Sequence, residues 1–288
     1  MEFSRSILDI IQERTSWRTY ASDPIPAETL KDLTQHFTDP LLTGPFNSEA
    51  RLRFEIFSFP EINPAEKRKL GTYGLISGAH TFIVGAINKF KYAWVAYGYA
   101  FEWIILKATD LGLGTCWLGG TFNRSEFAER IQLKEEEWLP AISPLGLMKD
   151  RTLKERVIRW AVKAKNRKPW LDMFMYNTFT QPLTPELADV YKTPLKMVRL
   201  GPSTANLQPW RILLDSNTHQ WHFYLTPRTP QSHDRFTTLF HLDIGIAMCH
   251  FELACRQLNL PGTWQIYSQS EIPNIPSLQY IISWNTQM

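Results

Sequence analysis

The sequence predicts an α+β protein made of two tandem units. Stretches with apolar residues at helical spacing alternate along the chain with short stretches typical of strands. A long apolar helix is predicted twice, at 92–111 and at 242–260. Gly98 aligns with Gly245 and Trp117 with Trp264, a shift of 147 residues in both cases. This constant shift favours a diverged internal duplication, and chance similarity between two amphipathic helices is the alternative.

The expected units are a first one over 1–170 and a shorter, degenerate second one over 171–288. Hydrophobic residues form 44% of the chain and charged residues 20%, which excludes a mainly disordered protein. The longest apolar stretch, 92–106, contains Glu102 and is shorter than the ~20 residues that a membrane span needs. It is therefore predicted to be a buried core helix, and no membrane partner is expected.

The N-terminal segment, the cysteines and the charge predict a cytoplasmic protein without a nucleic-acid partner. Glu2 and Asp9 stand where an export signal would have a basic start and an uninterrupted apolar run. The three cysteines include no CxxC pair, so we expect reduced thiols. The net charge is +3, and 31 basic residues are spread among 28 acidic ones instead of forming a patch for a polynucleotide.

The spacing of apolar residues predicts seven elements in the first unit. Helices are expected at 4–13, from Pro26 onward, at 92–111 and at 151–165, and strands at 51–58, 81–87 and 142–148. Ser4 is a candidate N-cap for the first helix, Pro26 is typical of a first helical turn, and Gly112 ends the long helix.

The second unit is predicted to repeat this theme more briefly. Three prolines and few residues at helical spacing predict that 169–185 is a linker. Pro185 begins a helix that is expected to break at Pro194. The remaining expected elements are strands at 211–214 and 221–226, the long helix at 242–260 and a last strand at 280–284.

A pair of arginines follows the first predicted helix, in the segment RTSWR. Arg14 and Arg18 are four residues apart with Ser16 between them, and two guanidinium groups with a hydroxyl can converge on a phosphate. Ordinary solvated surface is the alternative. The densest basic stretch, 151–168, leaves the same choice between a solvated helix face and a site for a phosphate-sized anion.

Two further segments have the composition of a ligand site. In LGLGTCWLGG, at 111–120, four glycines allow the backbone to approach a flat ligand closely, although a packing role is the alternative. This segment is neither a P-loop nor a GxGxxG fingerprint. The segment 199–211 carries polar groups between Pro202 and Pro209. Its amide side chains both donate and accept hydrogen bonds, as the edge of a heterocycle requires.

Together these segments resemble the nitroreductase family, whose members are FMN-dependent oxidoreductases of α+β fold. The family motif RxSxR is matched at 14–18 and its GLGTCWxGG segment at 112–120. A basic K-x-R followed by Lys-Pro is matched at 165–169, and PSxxNxQPW is matched at 202–210. The resemblance covers residues from about 5 to 285 when the duplication is included.

The order of these motifs departs from that of ordinary family members. PSxxNxQPW usually lies between RxSxR and GLGTCW, but the segment 44–50 at that place has Phe46 in place of the serine after the proline and lacks the Gln-Pro-Trp. Ordinary members are homodimers with FMN at the subunit interface. The resemblance therefore implies a single-chain, pseudo-dimeric branch whose complementary halves share one FMN site. We expect a monomer that is a pseudo-dimer, or a weak homo-oligomer.

The resemblance also implies the activity and the site residues. Hydride would pass from NADH or NADPH to N5 of FMN and from there to a small electron acceptor such as a nitroaromatic compound or a quinone. The residues expected to hold the phosphate are Arg14, Ser16, Arg18, Lys165 and Arg167. The backbone amides of Gly119 and Gly120 would face N5. The residues expected at the ring or the ribityl chain belong to the turn at Pro202, and they are Ser203, Asn206 and Gln208.

No catalytic side chain and no metal ligand are expected, because the seven histidines show no metal-binding spacing and the flavin carries the redox chemistry. Two alternatives to an enzyme remain. One is a flavin-binding protein without turnover, in a storage, sensing or structural role. The other is a scaffold that has lost the cofactor.

Overall fold

The computed structural model describes residues 3–59, 75–161, 163, 166–227, 235–273, 275 and 277–287, without the side chains of 235–237. The chain divides into two compact units, Met1–Lys165 and Asn166–Met288. Each unit contains helices and one β-sheet, so the α+β class predicted from the sequence is confirmed.

The first unit contains five described helices and five strands. The helices are α1 (Ile7–Glu13), α2 (Ala27–Thr34), α3 (Ala93–Asp110), α4 (Arg124–Arg130) and α5 (Leu153–Ala161). The strands are β1 (Leu52–Ser58), β2 (Thr81–Asn88), β3 (Gly114–Thr115), β4 (Glu137–Trp138) and β5 (Ile142–Gly146). The sheet has the order β1-β2-β5-β3 with antiparallel pairs, and β4 pairs with the end of β2.

Helix α3 forms the core of the first unit. Nearly all of its residues are buried, and it contacts α1, β2, β3 and a 3-10 segment, Pro40–Phe46. The ring of Phe54 on β1 stacks on Phe101 of α3, with centroids 5.7 Å apart. Gly85 is the register partner of Phe54, and a Cβ at Gly85 would lie 2.4 Å from that ring. The glycine is therefore required for this packing.

The second unit contains two described α-helices and six strands. The helices are α6 (Lys192–Leu200) and α7 (Arg235–Gln257). The strands are β6 (Phe174–Tyr176), β7 (Thr178–Pro182), β8 (Trp210–Asp215), β9 (Gln220–Leu225), β10 (Gly262–Gln265) and β11 (Gln279–Thr286). The sheet has the order β10-β11-β9-β8-β6-β7, and only the β6–β8 pair is parallel.

The two sheets share one strand order. The succession β1-β2-β5-β3 in the first unit corresponds to β8-β9-β11-β10 in the second, with a long helix after the second strand in both. In each unit the tryptophan that follows the long helix donates to a buried glutamate of that helix. Both hydrogen bonds, Trp117 Nε1 to Glu102 Oε2 and Trp264 Nε1 to Glu252 Oε2, are 2.7 Å long. These shared features support the duplication hypothesis.

The first helix begins later than predicted. Its N-cap is Ser6, and α1 starts at Ile7. Ser4 does not cap it, because the backbone N and Oγ of Ser4 both donate to the carboxylate of Asp110, at 2.8 and 2.7 Å. Asp110, the last residue of α3, thus binds Ser4 near the first described residue.

The prediction of a linker over 169–185 is wrong. This segment contains β6 and β7, and β6 pairs in parallel with β8 from Phe174↔Ile212 onward. The predicted helix break at Pro194 is wrong as well. Helix α6 starts at Lys192, so Pro194 lies in its first turn, where the missing N–H has no intrahelical partner.

One described helical stretch, Thr238–Gln257 within α7, is long and apolar enough for a membrane span by length and composition. Of that stretch, 89% is buried inside the protein. It is therefore the core helix of the second unit, a role that α3 has in the first.

Burial of His222 on β9 makes the stability of the second unit sensitive to acid. Its Nδ1 lies 2.7 Å from Ser283 Oγ, and burial lowers the pKa of His222 to about 4. The unfolded chain takes up this proton near pH 6.5, so the folded state loses stability as the pH falls from 6.5 to 4. We expect this residue to account for about 3 kcal/mol of unfolding free energy over that range.

Urea denaturation at pH 7 and pH 4.5 checks this expectation. Between pH 7 and pH 4.5 the unfolding free energy of His222→Gln should increase relative to that of the wild type, because only the wild type has the contribution of His222 to lose. The matched control is His219→Asn, which changes an exposed histidine just before the same strand. An equal change of unfolding free energy in the wild type and in His222→Gln would contradict the assignment.

Candidate functional site

The RTSWR segment follows α1 and runs beside the glycine-rich segment. Helix α1 ends because the backbone of Arg14 turns to an extended conformation, with φ −54° and ψ 122°. Ser16 then forms a parallel bridge with Thr115, and the backbone N of Trp17 donates to Thr115 O at 2.8 Å. Gly114 permits this approach, because a Cβ there would lie 3.2 Å from Trp17 Cβ. The first two sequence motifs are thus adjacent in space.

The other side of the RTSWR segment is held by residues near the end of the first unit. Trp17 Nε1 donates to Lys149 O at 3.1 Å, and the guanidinium of Arg151 lies over the Trp17 ring, 3.9 Å from its centroid. Thr19 Oγ1 donates to Glu155 Oε2 at 2.8 Å in a buried contact. These contacts fix the backbone from which the two arginines project.

Arg14 and Arg18 carry buried N–H groups that have no acceptor among the described residues. Arg14 is only 8% exposed, and its Nε lies 3.7 Å from Glu102 Oε1, too far for a hydrogen bond. Arg18 Nη1 is also buried and has no acceptor among the described residues. A buried donor without a partner costs roughly 1–3 kcal/mol, or more on a charged group. Both arginines are therefore arranged for an acceptor that the described residues do not supply.

The glycine-rich segment continues from β3 into a loop held by β5. Leu118 and Ile142 exchange backbone hydrogen bonds of 2.9 and 3.0 Å, and Gly119 and Gly120 follow directly. Gly119 O accepts a hydrogen bond from Arg124 Nη2 at 3.2 Å. Both glycines are half-buried, and the orientation predicted for their amides stays a prediction.

Cys116, inside this segment, is a buried packing residue. Its backbone N donates to Ser143 Oγ at 3.0 Å. Burial raises the pKa of the Cys116 thiol, so the thiol stays protonated near neutral pH. A nucleophilic role for this cysteine is therefore not supported.

The predicted turn of the second unit is a strained and closely bonded structure. Three residues other than glycine have left-handed backbone conformations, which such residues rarely adopt. Their φ angles are 49° at Ala205, 57° at Asn206 and 47° at Gln208. The backbone N of Gln208 donates to Ser203 Oγ at 2.9 Å, which closes the turn. Half-buried Pro202 precedes it, and its peptide bond is trans, as every described peptide bond is.

Asp243 of α7 holds this turn from the core. Thr204 N donates to both carboxylate oxygens of Asp243 at 3.0 Å, and Thr204 Oγ1 donates to Oδ1 at 3.2 Å. Burial raises the pKa of Asp243 to about 8, although these two donors act in the opposite direction. Asp243 thus fixes the start of the turn without facing solvent.

Arg167 and Lys168 bring the basic motif to the same turn. Arg167 Nη1 makes a long hydrogen bond of 3.5 Å to Asn206 Oδ1, and the backbone N of Lys168 donates to Gln208 Oε1 at 2.9 Å. Gln208 Nε2 donates to Asn206 O at 3.0 Å. Burial, then the nearby Arg211, lowers the pKa of Lys168. The amide of buried Gln208 is therefore occupied by the protein itself and positions its neighbours.

The structure thus gathers the predicted residues into two groups, one in each unit. The first group is Arg14, Ser16 and Arg18 beside the segment that leads to Gly119 and Gly120. The second is Arg167 with Ser203, Asn206 and Gln208, after Pro202. Lys165 lies outside the described residues. Whether these residues bind a cofactor stays a prediction.

Sequence reasoning missed two acidic residues that support these groups, Glu102 and Asp243. Each is a buried carboxylate in a mostly apolar stretch of helix, and α7 carries a second one, Glu252. An acidic residue among apolar neighbours in a helix is the signal that could have found them, because such a group requires a buried partner. In the described part of the chain no three His, Cys, Asp or Glu residues are grouped as a metal site.

Comparison with solved structures relates the whole chain to one fold. A Thermotoga maritima protein described as a "putative nitroreductase" aligns over 99% of this chain and 95% of its own, with 18% identity and a TM-score of 0.58. At this identity the likeness shows the fold, which is the predicted one.

Shorter matches include a nitroreductase with bound FMN from Desulfitobacterium hafniense, with 20% identity over 51% of this chain and 92% of that chain and a TM-score of 0.40. Another, from Bacteroides fragilis and also with bound FMN, has 16% identity over 52% and 95% and a TM-score of 0.38.

Comparison by sequence identifies the family. No curated protein matches the chain significantly. A family model described as "Putative TM nitroreductase" matches residues 6–255, which include all four motifs. The chain therefore belongs to this nitroreductase family.

Proposed function

We propose that this protein is an FMN-dependent NAD(P)H oxidoreductase that reduces a small electron acceptor, as a nitroreductase or quinone-type reductase does. Membership of the nitroreductase family supports the oxidoreductase role. The observation that carries the cofactor assignment is the pair of buried N–H groups, Arg14 Nε and Arg18 Nη1, that lack an acceptor among the described residues.

The donor set of the first unit fits the phosphate end of FMN. Arg14 and Arg18 carry fixed positive charges, and their guanidinium groups suit the oxygens of a phosphate. Ser16 adds a hydroxyl donor on the same segment, and the bridge to Thr115 fixes the spacing of all three. Lys165 is proposed as a further phosphate ligand from the sequence resemblance alone.

The second group fits the more polar parts of the cofactor. Asn206 and Ser203 carry an amide and a hydroxyl on a turn whose conformation is fixed by Asp243 and Gln208, and Asn206 Nδ2 also donates to Asn166 O at 3.1 Å. We assign Arg167 to the cofactor with them, while Gln208 holds Asn206 and the backbone of Lys168 in place. Rigid polar groups of this kind orient a ligand with little loss of entropy on binding.

FMN, when bound, supplies the hydride and electron transfer chemistry, and NADH or NADPH is the proposed donor. The chain's own contribution is to bind and orient, since no described side chain is assigned as an acid or base. Gly119 and Gly120 leave room for close approach of a flat ring at the loop after β3. We propose a cytoplasmic location, in agreement with the three buried, reduced cysteines.

The visible absorption spectrum of the purified protein tests this proposal. A flavin spectrum, with released FMN at about one per chain, and steady oxidation of NADH or NADPH with a quinone or nitroaromatic acceptor are expected. FMN binding without turnover would favour the storage or sensing alternative. A colourless protein that takes up no added FMN would contradict the proposal.

A further inference from the structure

Helix α5 buries Glu155 and leaves several of its apolar side chains exposed. Glu155 is 2% exposed and bonded to Thr19, while Leu153 is 80% and Trp160 81% exposed. The sequence left a solvated helix face and an anion site as alternatives for this stretch, and buried Glu155 and half-buried Arg159 are not part of a solvated face. Glu155 and part of Arg159 are buried although apolar side chains of the same helix are exposed. Polar groups must therefore lie against the buried side of α5.

Arg159 contacts two of the three residues that separate Arg14 from Arg18. Its Nη1 donates to Thr15 Oγ1 at 2.9 Å and to Ser16 O at 3.1 Å. Both hydrogen bonds are made by Nη1, so Nε and Nη2 take no part in this contact. Nη1 of Arg159 thus binds the RTSWR segment. The edge of the guanidinium formed by Nε and Nη2 can donate to an oxyanion.

The charges around Arg159 do not balance. Four guanidinium groups, those of Arg14, Arg18, Arg151 and Arg159, influence one another. The carboxylates in contact with them are Glu102, near Arg14, and Glu155, which accepts from Arg151 Nε at 3.1 Å. Burial, then the neighbouring Arg151, lowers the pKa of Arg159, with smaller effects of Arg14 and Arg18. Among the described residues, these four guanidinium groups and two carboxylates leave an excess of two formal positive charges in a partly buried place.

We infer that Arg159 is a third phosphate-binding guanidinium, supplied to the RTSWR segment by helix α5. A phosphate monoester carries about −1.5 to −2 charges at pH 7, which matches the excess. The inference rests on the proposed function for the identity of the ligand, FMN. It goes beyond the sequence motifs because Arg159 belongs to none of them.

A phosphate-binding residue affects selectivity between flavins that differ only in the phosphate. FMN and riboflavin share the ring and the ribityl chain, so loss of Arg159 should weaken FMN binding and leave riboflavin binding unchanged. A purely structural clasp on the RTSWR backbone would instead change both affinities, or the stability alone. The ratio of the two affinities therefore separates the roles.

The experiment compares the full-length wild type with Arg159→Gln after removal of bound flavin. Dissociation constants for FMN and riboflavin are measured by quenching of flavin fluorescence. We expect Arg159→Gln to weaken FMN binding about tenfold to a hundredfold, the usual effect of one charged hydrogen-bond donor, with riboflavin unchanged. Arg159→Lys should restore part of the loss. The matched control is Arg156→Gln, which removes an exposed charge from the same helix and should change neither affinity.

A second measurement uses inorganic phosphate. Phosphate should raise the unfolding temperature of the wild type and of Arg156→Gln relative to chloride at equal ionic strength, and raise that of Arg159→Gln less. An unchanged FMN-to-riboflavin ratio in Arg159→Gln would overturn the inference. If the wild type bound no FMN, the proposed function would be wrong, and the phosphate measurement alone would then decide for or against an anion site at Arg159.

Discussion

Replacing Arg14 and Arg18 together with alanine should lower the affinity for FMN by about a hundredfold or more, because two charged donors to one phosphate are lost. Both groups are already desolvated, so their binding to an anion does not repeat that cost. The protein purified from cells should then be nearly free of flavin. The flavin content per chain and the dissociation constant of added FMN are the measurements.

The control for this double variant removes two charges elsewhere in the same unit. Arg130→Ala with Arg156→Ala changes two exposed arginines on α4 and α5 and should keep the flavin content of the wild type. Circular dichroism must show that both double variants fold. Unchanged flavin content in the Arg14 and Arg18 double variant would disprove the phosphate assignment.

Raising the pH should destabilise the second unit through Asp243, which is the second large effect. Burial raises the pKa of Asp243 to about 8 in the folded protein, while the unfolded chain releases this proton near pH 3.8. Between these values the folded state binds more protons, so its stability falls as the pH rises. The loss between pH 4 and pH 7 is on the order of 4 kcal/mol.

The variant Asp243→Asn separates the charge from the hydrogen bonds. An asparagine oxygen can still accept from Thr204 N, and the residue does not titrate. Urea denaturation should therefore show a smaller decline of unfolding free energy from pH 5 to pH 8 in this variant. Asp189→Asn, at an exposed position of the same unit, should keep the decline of the wild type. A parallel decline in Asp243→Asn would contradict the shifted pKa.

The local patterns in the sequence predicted the elements that have strong periodicity. Helix α3 and the strands β1, β2, β8 and β9 are mostly apolar or alternating, so their local sequence determines them. Helix α7 was predicted from residue 242 but begins at Arg235, because its first turns, RFTTLFH, are less apolar. Strands β6 and β7 were missed because their three to five residues form a sheet only beside β8, which is distant in sequence. The edge strand β10 was missed for the same reason.

The site residues also divide into those that the local sequence reveals and those that only tertiary contacts reveal. The RTSWR and PSTANLQPW segments are visible in the sequence because their residue types and spacing are unusual. Arg159 could not be identified, because the periodicity of α5 separates an apolar from a polar side but does not say which side faces the protein. The engagement of Gln208 by Lys168 and Asn206 likewise depends on tertiary contacts.

The left-handed residues at 205, 206 and 208 also bear on how the two units diverged. A conformation that costs free energy persists only while its supports, here Asp243 and Ser203, are retained. Under the duplication hypothesis, a copy of this turn released from selection relaxes as soon as one support mutates. The corresponding segment 44–50 of the first unit has Phe46 in place of the serine after the proline, and its left-handed residue is a glycine, Gly44, with a φ of 50°. Under the duplication hypothesis, the second unit thus kept the strained turn together with its supports, and the first unit did not.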